Sequence, residues 1–371
     1  MHDVLRTYPV FRFAKRWPKL DPAMTNVVIA VAFGLMLIAG AFRDRTLLLT
    51  LPNVGLLQHP GIWWFIVGQI WLLFVVRSSI RQFQRLHERP ETALSARYVE
   101  RRFLDQVKYL AAWVSGENNR SRLTYALLTA LGACAWAWNT YSNERPEAVG
   151  FDFWDSSRHF WGFLITRLYK GYIWFGVMPC VAHIQVGLVV AIRRLIRDAS
   201  RHRGLVLEPF HSDGAGGLSI FIETVLSPMV PTVFIGSMIS LSAVVVHKRY
   251  DVTTVGGLSL ACAAFILMYF FPATTLRNAI RREKRRQVRR IALLQQQLYG
   301  EVTTKLGIRT ALVDSVGAMM GLTPVVNRVR KLPEWPQMQR TFRLAALAWS
   351  SPAVVWIGRK SLEKLLASGV L

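Results

Sequence analysis

Six apolar runs, most of them flanked by charged or aromatic residues, constrain this chain more than any other feature. They fall at 26–42, 61–76, 123–141, 171–192, within 218–246, and at 255–271. An apolar stretch of about 17–25 residues matches a hydrocarbon core ~30 Å thick, and a helix is the one single-segment structure that satisfies its own backbone there. Arg43, Asp44 and Arg45 close the first run, and Trp63 and Trp64 open the second. Trp136, Trp138 and Tyr141 close the third, and Trp161, Tyr169 and Tyr172 lead into the fourth. Indole and phenol rings favour the membrane–water boundary, so these positions read as interface anchors.

The charge between the runs gives an orientation. Segment 77–122 carries ten basic residues (Arg77, Arg81, Arg85, Arg89, Arg97, Arg101, Arg102, Lys108, Arg120, Arg122) against five acidic ones. Segment 193–203 has five Arg and one Asp. The alternate connections differ: 143–158 holds Glu144, Glu147, Asp152 and Asp155 against Arg145 and Arg158, and 247–254 is short. Lys and Arg concentrate on the cytoplasmic side of a membrane protein, so six spans with both termini cytoplasmic satisfy every connection at once. The expected fold is an all-α polytopic membrane protein with a helical, strongly basic cytoplasmic layer. The expected location is the cell (inner) membrane. A seventh apolar run at 341–358 has Arg343 near its start and Ser350, Ser351 and Pro352 in its middle. It is read as a cytoplasmic or interfacial helix.

Composition agrees. Lys and Arg number 46 against 22 Asp and Glu, for a net charge of +24, while hydrophobic residues make up 52% of 371 positions. Mean hydropathy is +0.27, which excludes a disordered chain and argues against an ordinary soluble enzyme. The start of the chain is basic but lacks a small-residue cleavage site, so 1–25 reads as a cytoplasmic lead-in. Three cysteines, Cys134, Cys180 and Cys262, sit inside apolar runs at spacings that fit no zinc pattern. They are expected to pack as small core residues. Arg167 and Lys170 are expected to snorkel to the outer interface.

The domain plan is therefore 1–25, spans 26–76, a cytoplasmic helical hairpin at 77–122, spans and connections at 123–273, and a basic helical region at 274–371. In the hairpin, Val99, Phe103, Val107, Leu110 and Val114 form one helical stripe, with Pro90 before it and Gly116 placed to end it. After the sixth span, Leu276, Ile280, Val288, Ile291, Leu294 and Leu298 predict a long helix leaving the bilayer, stopped by Gly300. A short amphipathic segment at 310–320 follows, and Pro324, Pro333 and Pro336 mark an irregular connection.

Three groups of residues stand out. The first is the cluster Arg281, Arg282, Lys284, Arg285, Arg286, Arg289 and Arg290, seven cations in ten positions. Such density suits anionic lipid headgroups or a polyanion such as a nucleotide or oligonucleotide. The second is the Gly-rich string 211–218, with His211, Asp213, Gly214, Gly216 and Gly217. It reads either as an anion-binding or gating hinge at the start of the fifth span, or as a tight turn with an Asp cap. The third is a set of polar residues within spans. Glu223 precedes Pro228 and Pro231, and lines a broken helix if the fifth span starts near Leu218, or lies at the surface if it starts at Met229. His183 and Gln185 sit mid-span after Pro179 and suit interhelical hydrogen bonds or a proton relay.

No zinc-protease, nucleophile-elbow, Walker or EF-hand pattern occurs. No metal, cofactor or enzymatic activity is expected. The reading that gathers most features is a homo-oligomeric channel or pore-forming effector, gated by an anionic ligand at a basic cytoplasmic face, in a stress or anti-phage setting. A secondary transporter, and a scaffold recruiting an acidic protein partner, are the alternatives.

Overall fold

A computed structural model describes residues 8, 21–50, 53–88, 94–143, 154–207, 217–218, 220–221, 223–224, 252–304 and 309–332. Within them the chain is almost entirely helical, with no strands. Helix α1 spans Pro22–Arg43 and α2 spans Pro60–Glu88. Helix α3 begins as Ala96–Tyr98, widens into a π turn at Val99–Phe103 and continues as Leu104–Ser115. Helix α4 is Asn119–Asn143. Helix α5 runs Phe160–Gly171, a π turn at Tyr172–Val177, then Met178–Arg201. Helix α6 is Val252–Thr304 and α7 is Arg309–Lys331.

Among the described residues, three helices are long and apolar enough to cross a membrane: Met24–Arg43, Ile62–Arg81 and Phe160–Arg201. They differ in how much of the apolar window lies inside the protein: 33% for α1, 47% for α2 and 72% for α5. Helix α5 is therefore the centre of the bundle, and its residues from Pro179 to Ile192 are buried nearly all round. Its 42 residues extend for about 63 Å, roughly twice a hydrocarbon core. The π turn lies directly before Pro179, which has no N–H for the carbonyl a turn behind it; the widened turn absorbs that mismatch.

Two hydrophobic cores share α5. The larger joins α2 (Leu73, Phe83, Leu86), α3 (Phe103, Leu110, Trp113), the second half of α5 and α6 (Leu276, Ile280). Phe83 and Phe103 stack with centroids 5.9 Å apart. The smaller joins Leu37 and Ala41 of α1, Leu56, Ile62, Trp154, and Tyr169 and Ile173 of α5. The stripe expected on the 77–122 hairpin is the buried face of α3, with Val107 partly buried. Gly116 ends α3 in the left-handed conformation (φ 74°), which glycine adopts without the Cβ penalty.

Several expectations are corrected. Gly300 does not stop α6, which continues to Thr304; an exposed glycine weakens a helix by about 1 kcal/mol without breaking it. Pro324 lies inside α7 rather than in an irregular connection, and the short segment expected at 310–320 extends to Lys331. The carbonyl that loses its partner to Pro324 belongs to the exposed Met320, where water can replace the bond. Cys134 is exposed, so only Cys180 of these two packs as a core residue. Lys170 does not snorkel: it is buried in an ion pair described below.

Candidate functional site

Contacts draw the basic segments together where α3, α5, α6 and α7 meet. The anchor is Asp198, in the last turns of α5. Tyr98 of α3 donates its hydroxyl to Asp198 Oδ2 at 2.8 Å, Arg102 Nη1 lies 3.5 Å from Oδ1, and His202 Nδ1 lies 3.2 Å from Oδ1. Burial, and then the bond to Asp198, push the Tyr98 hydroxyl well above the usual tyrosine range. After α5 the backbone turns at Arg203 (φ 55°). Leu205 then pairs with Leu94 as an antiparallel bridge, and Ser95 N–H donates to Gly204 O at 2.7 Å.

The basic stretch of α6 meets this turn. Arg286 Nη1 donates to Ser200 O at 3.2 Å and lies 3.3 Å from Glu283 Oε2. Gln287 Nε2 donates to Leu207 O at 2.9 Å. Lys284 Nζ donates to Leu332 O and, at 3.4 Å, to Arg330 O. Ser200 lies in the last turn of α5, and Arg330 and Leu332 at the end of α7. Two cations of α6 therefore sit on the carbonyl ends of two other helices, where unsatisfied C=O groups and the negative dipole end favour positive charge.

The seven cations expected to hold a polyanion thus divide. Lys284 and Arg286 are half-buried and engaged with the protein. Arg281, Arg282, Arg285, Arg289 and Arg290 are exposed. At spacing four, Arg281, Arg285 and Arg289 share one helical face; Arg282 lies beside it and Arg290 is turned further round the helix. Exposed Arg197, Arg201 and Arg203 of the α5 end, and Arg328 and Arg330 of α7, belong to the elements that this stretch contacts.

Of the Gly-rich string, His211, Asp213, Gly214 and Gly216 lie outside the described residues. Its borders do not. Leu207, which precedes it, is held by Gln287 of the basic helix. Gly217 (φ 84°) and Leu218, which end it, are buried, and Leu218 belongs to the larger core. Glu223 is exposed, next to buried Thr224. The rest of the fifth apolar run, and 341–358, lie outside the described residues.

His183 and Gln185 are buried in α5. His183 Nε2 lies 3.1 Å from Ser121 O of α4, and its Nδ1 lies 2.7 Å from the Tyr8 hydroxyl. A carbonyl only accepts, so Nε2 carries the proton and Tyr8 donates to Nδ1. Trp113 stacks on the ring at 5.7 Å, and Tyr8 and Tyr125 approach it edge-on at 5.8 and 5.5 Å. The histidine is thus a packed node joining α3, α4, α5 and Tyr8.

The opposite end, where α1 and α2 connect, holds a second set of charges. Asp155 Oδ2 accepts from Lys170 Nζ at 3.4 Å, with both side chains close to nine-tenths buried. Burial alone would raise the Asp155 carboxyl; Lys170, His59 and Arg167 together hold it below the usual carboxylate range. Asp44 Oδ2 accepts from Gly162 N–H at 2.8 Å, and Val54 O from Trp154 N–H at 3.1 Å. No grouping of His, Cys, Asp and Glu suited to a metal ion occurs among the described residues.

Sequence reasoning missed Asp198, Ser200, Gln287, Tyr8 and the Asp155–Lys170 pair. One signal was present: an acidic residue inside an arginine-rich stretch, as at Asp198 and Glu283, marks a charge that the fold must compensate. No family model, curated protein or solved structure matches the chain.

Proposed function

We propose that this protein is an oligomeric membrane channel or pore-forming effector, opened or held shut by an anionic ligand at the exposed arginine face of α6. In this reading six helices span the inner membrane, both termini are cytoplasmic, and α3, α6 and α7 extend on the cytoplasmic side as a basic layer. The observation that carries it is the bond from Gln287 to Leu207. The helix that presents the arginine face also holds the border of the Gly-rich string leading to Leu218 and the fifth apolar run. A polyanion that neutralises Arg281, Arg285 and Arg289 would shift this helix and pull on that border, which is a physical route from charge to pore. Ligand control requires different affinities for the two states, and a contact that exists in one state alone supplies them. The ligand class is a nucleotide or an oligonucleotide, and a stress or anti-phage role suits a pore that opens on such a signal.

The test is ion flux through purified full-length protein in liposomes, with and without short single-stranded DNA on the arginine face. Flux that depends on the oligomer supports the channel. Absence of flux in both states, with the protein folded and oriented, would contradict it and favour the scaffold reading.

A further inference from the structure

The arginine face of α6 does not end with its charges. From Arg285 onward its exposed positions are Arg285, Arg289, Ala292, Gln296, Tyr299 and Thr303, at spacings of four, three, four, three and four. Such spacing keeps side chains on one face of a helix. The opposite side is taken. Val288, Ile291, Gln295 and Leu298 are half-buried there, and Lys284 on that side reaches the carbonyls at the end of α7. The exposed face thus changes along its length, from guanidinium to amide to phenol. Arg285 and Tyr299 stand about 21 Å apart at ~1.5 Å per residue. Tyr299 is 62% exposed. A Cβ at the next position, Gly300, would meet nothing within 4 Å, so the space beside the ring is bare.

A simple polyanion uses only the first part of this face. A single-stranded nucleic acid uses all of it: phosphates meet Arg285 and Arg289, a base edge meets the Gln296 amide, and a base lies on the Tyr299 ring. At ~3.4 Å per stacked nucleotide, the face accommodates about six nucleotides. Two other occupants fit less well. A second copy pairing through the same face would set its own arginines against these. Lipid headgroups lie close to the hydrocarbon core, whereas Arg286 already meets the last turn of α5, a helix of about 63 Å, and α6 runs on from there to Thr304. We infer that this face binds a single-stranded oligonucleotide of about six nucleotides, with a base stacked on Tyr299 as the contact that separates nucleic acid from other polyanions. This rests on the arginine surface proposed above and names the ligand which that surface reads.

The test measures, by fluorescence anisotropy, binding of two labelled six-mers to full-length protein in phosphatidylcholine nanodiscs. One is oligothymidylate; the other is the same deoxyribose-phosphate backbone without bases. Both carry the same charge. The thymidylate strand is expected to bind about tenfold tighter, the effect of one stacked base. Tyr299→Leu should remove that margin and leave the abasic strand unaffected, while Tyr299→Phe, which keeps the ring, should preserve it. Equal affinity for the two strands, or a margin that survives in Tyr299→Leu, would overturn the inference and leave the arginine surface standing. Failure of both strands to bind, or affinities unmoved by Arg285→Gln with Arg289→Gln, would overturn the surface and the inference together. Disulfide dimers of a Tyr299→Cys variant, formed without oligonucleotide and not by wild type, would place a second copy on this face and overturn the inference as well.

Discussion

The two ends of α5 handle charge in opposite ways. At the end near the α1–α2 connection, Asp155 and Lys170 face each other inside the protein, with Arg167 and His59 close by. At the other end, Lys284 and Arg286 are used to cap neighbouring helices, and five arginines of the same stretch face outward. Charges of the first kind are fixed by the fold and cannot be read by a ligand without dismantling it. At the second end, five side chains of the stretch are exposed and lie where a ligand outside the protein can reach them. The ligand-reading surface proposed above lies on that exposed face of α6.

The largest effect should come from breaking the buried pair. Asp155→Asn or Lys170→Met leaves one uncompensated charge in the interior, and each should lower stability by about 3–5 kcal/mol. The double variant should recover part of that loss, because Lys170 no longer stands unpaired while Arg167 keeps its charge. Thermal unfolding in detergent, followed by helical signal, measures all three. Equal loss in the double variant and the single ones would erase the distinction between the two ends.

The same pair sets a pH dependence. The Asp155 carboxyl is lowered in the folded protein. Its stabilising contribution is present above the unfolded carboxylate pKa, near ~3.9, and is lost as pH falls through the lower folded value. Unfolding midpoints of wild type should thus fall below about pH 4, and Asp155→Asn should flatten that part of the profile.

A smaller effect is expected at the helix caps. Arg286→Met removes the cation at the end of α5 and should cost about 1 kcal/mol. Gln287→Leu should cost a similar amount by leaving Leu207 O without that donor. If the bond to Leu207 couples ligand to pore, Gln287→Leu should also weaken the flux response while leaving oligonucleotide binding intact.

The smallest stability effect belongs to the exposed arginines. Arg285→Gln with Arg289→Gln should change stability by no more than about 0.5 kcal/mol. Binding should change far more. Five engaged arginines give a slope of log affinity against log salt of roughly −3.5 for a single strand, and the double variant should bring it to roughly −2. A slope that ignores salt would sink the polyanion reading.

Much of this arrangement was legible beforehand. The helical stripe of α3 and its stop at Gly116 follow from spacing and from the demands of a left-handed cap. The long α6 follows from apolar residues at helical intervals. The misjudged details share a cause. Gly300 and Pro324 are breakers by propensity, but on an exposed helix face water replaces what they remove, so the helices continue. Lys170 looked like an interface residue because its partner, Asp155, is 15 positions away across a turn that periodicity does not reveal. The capping roles of Lys284 and Arg286 depend on where α5 and α7 end in space. Local pattern cannot tell which cations of a run meet such ends and which stay exposed.

One measurement tests the central claim most directly: oligonucleotide-dependent ion flux through the Arg285→Gln, Arg289→Gln double variant in liposomes, beside its melting temperature. The account predicts wild-type melting and a flux response lost or strongly reduced. A full ligand response in the folded variant, or a collapse of its fold, would contradict the assignment of these arginines as the surface that reads the ligand.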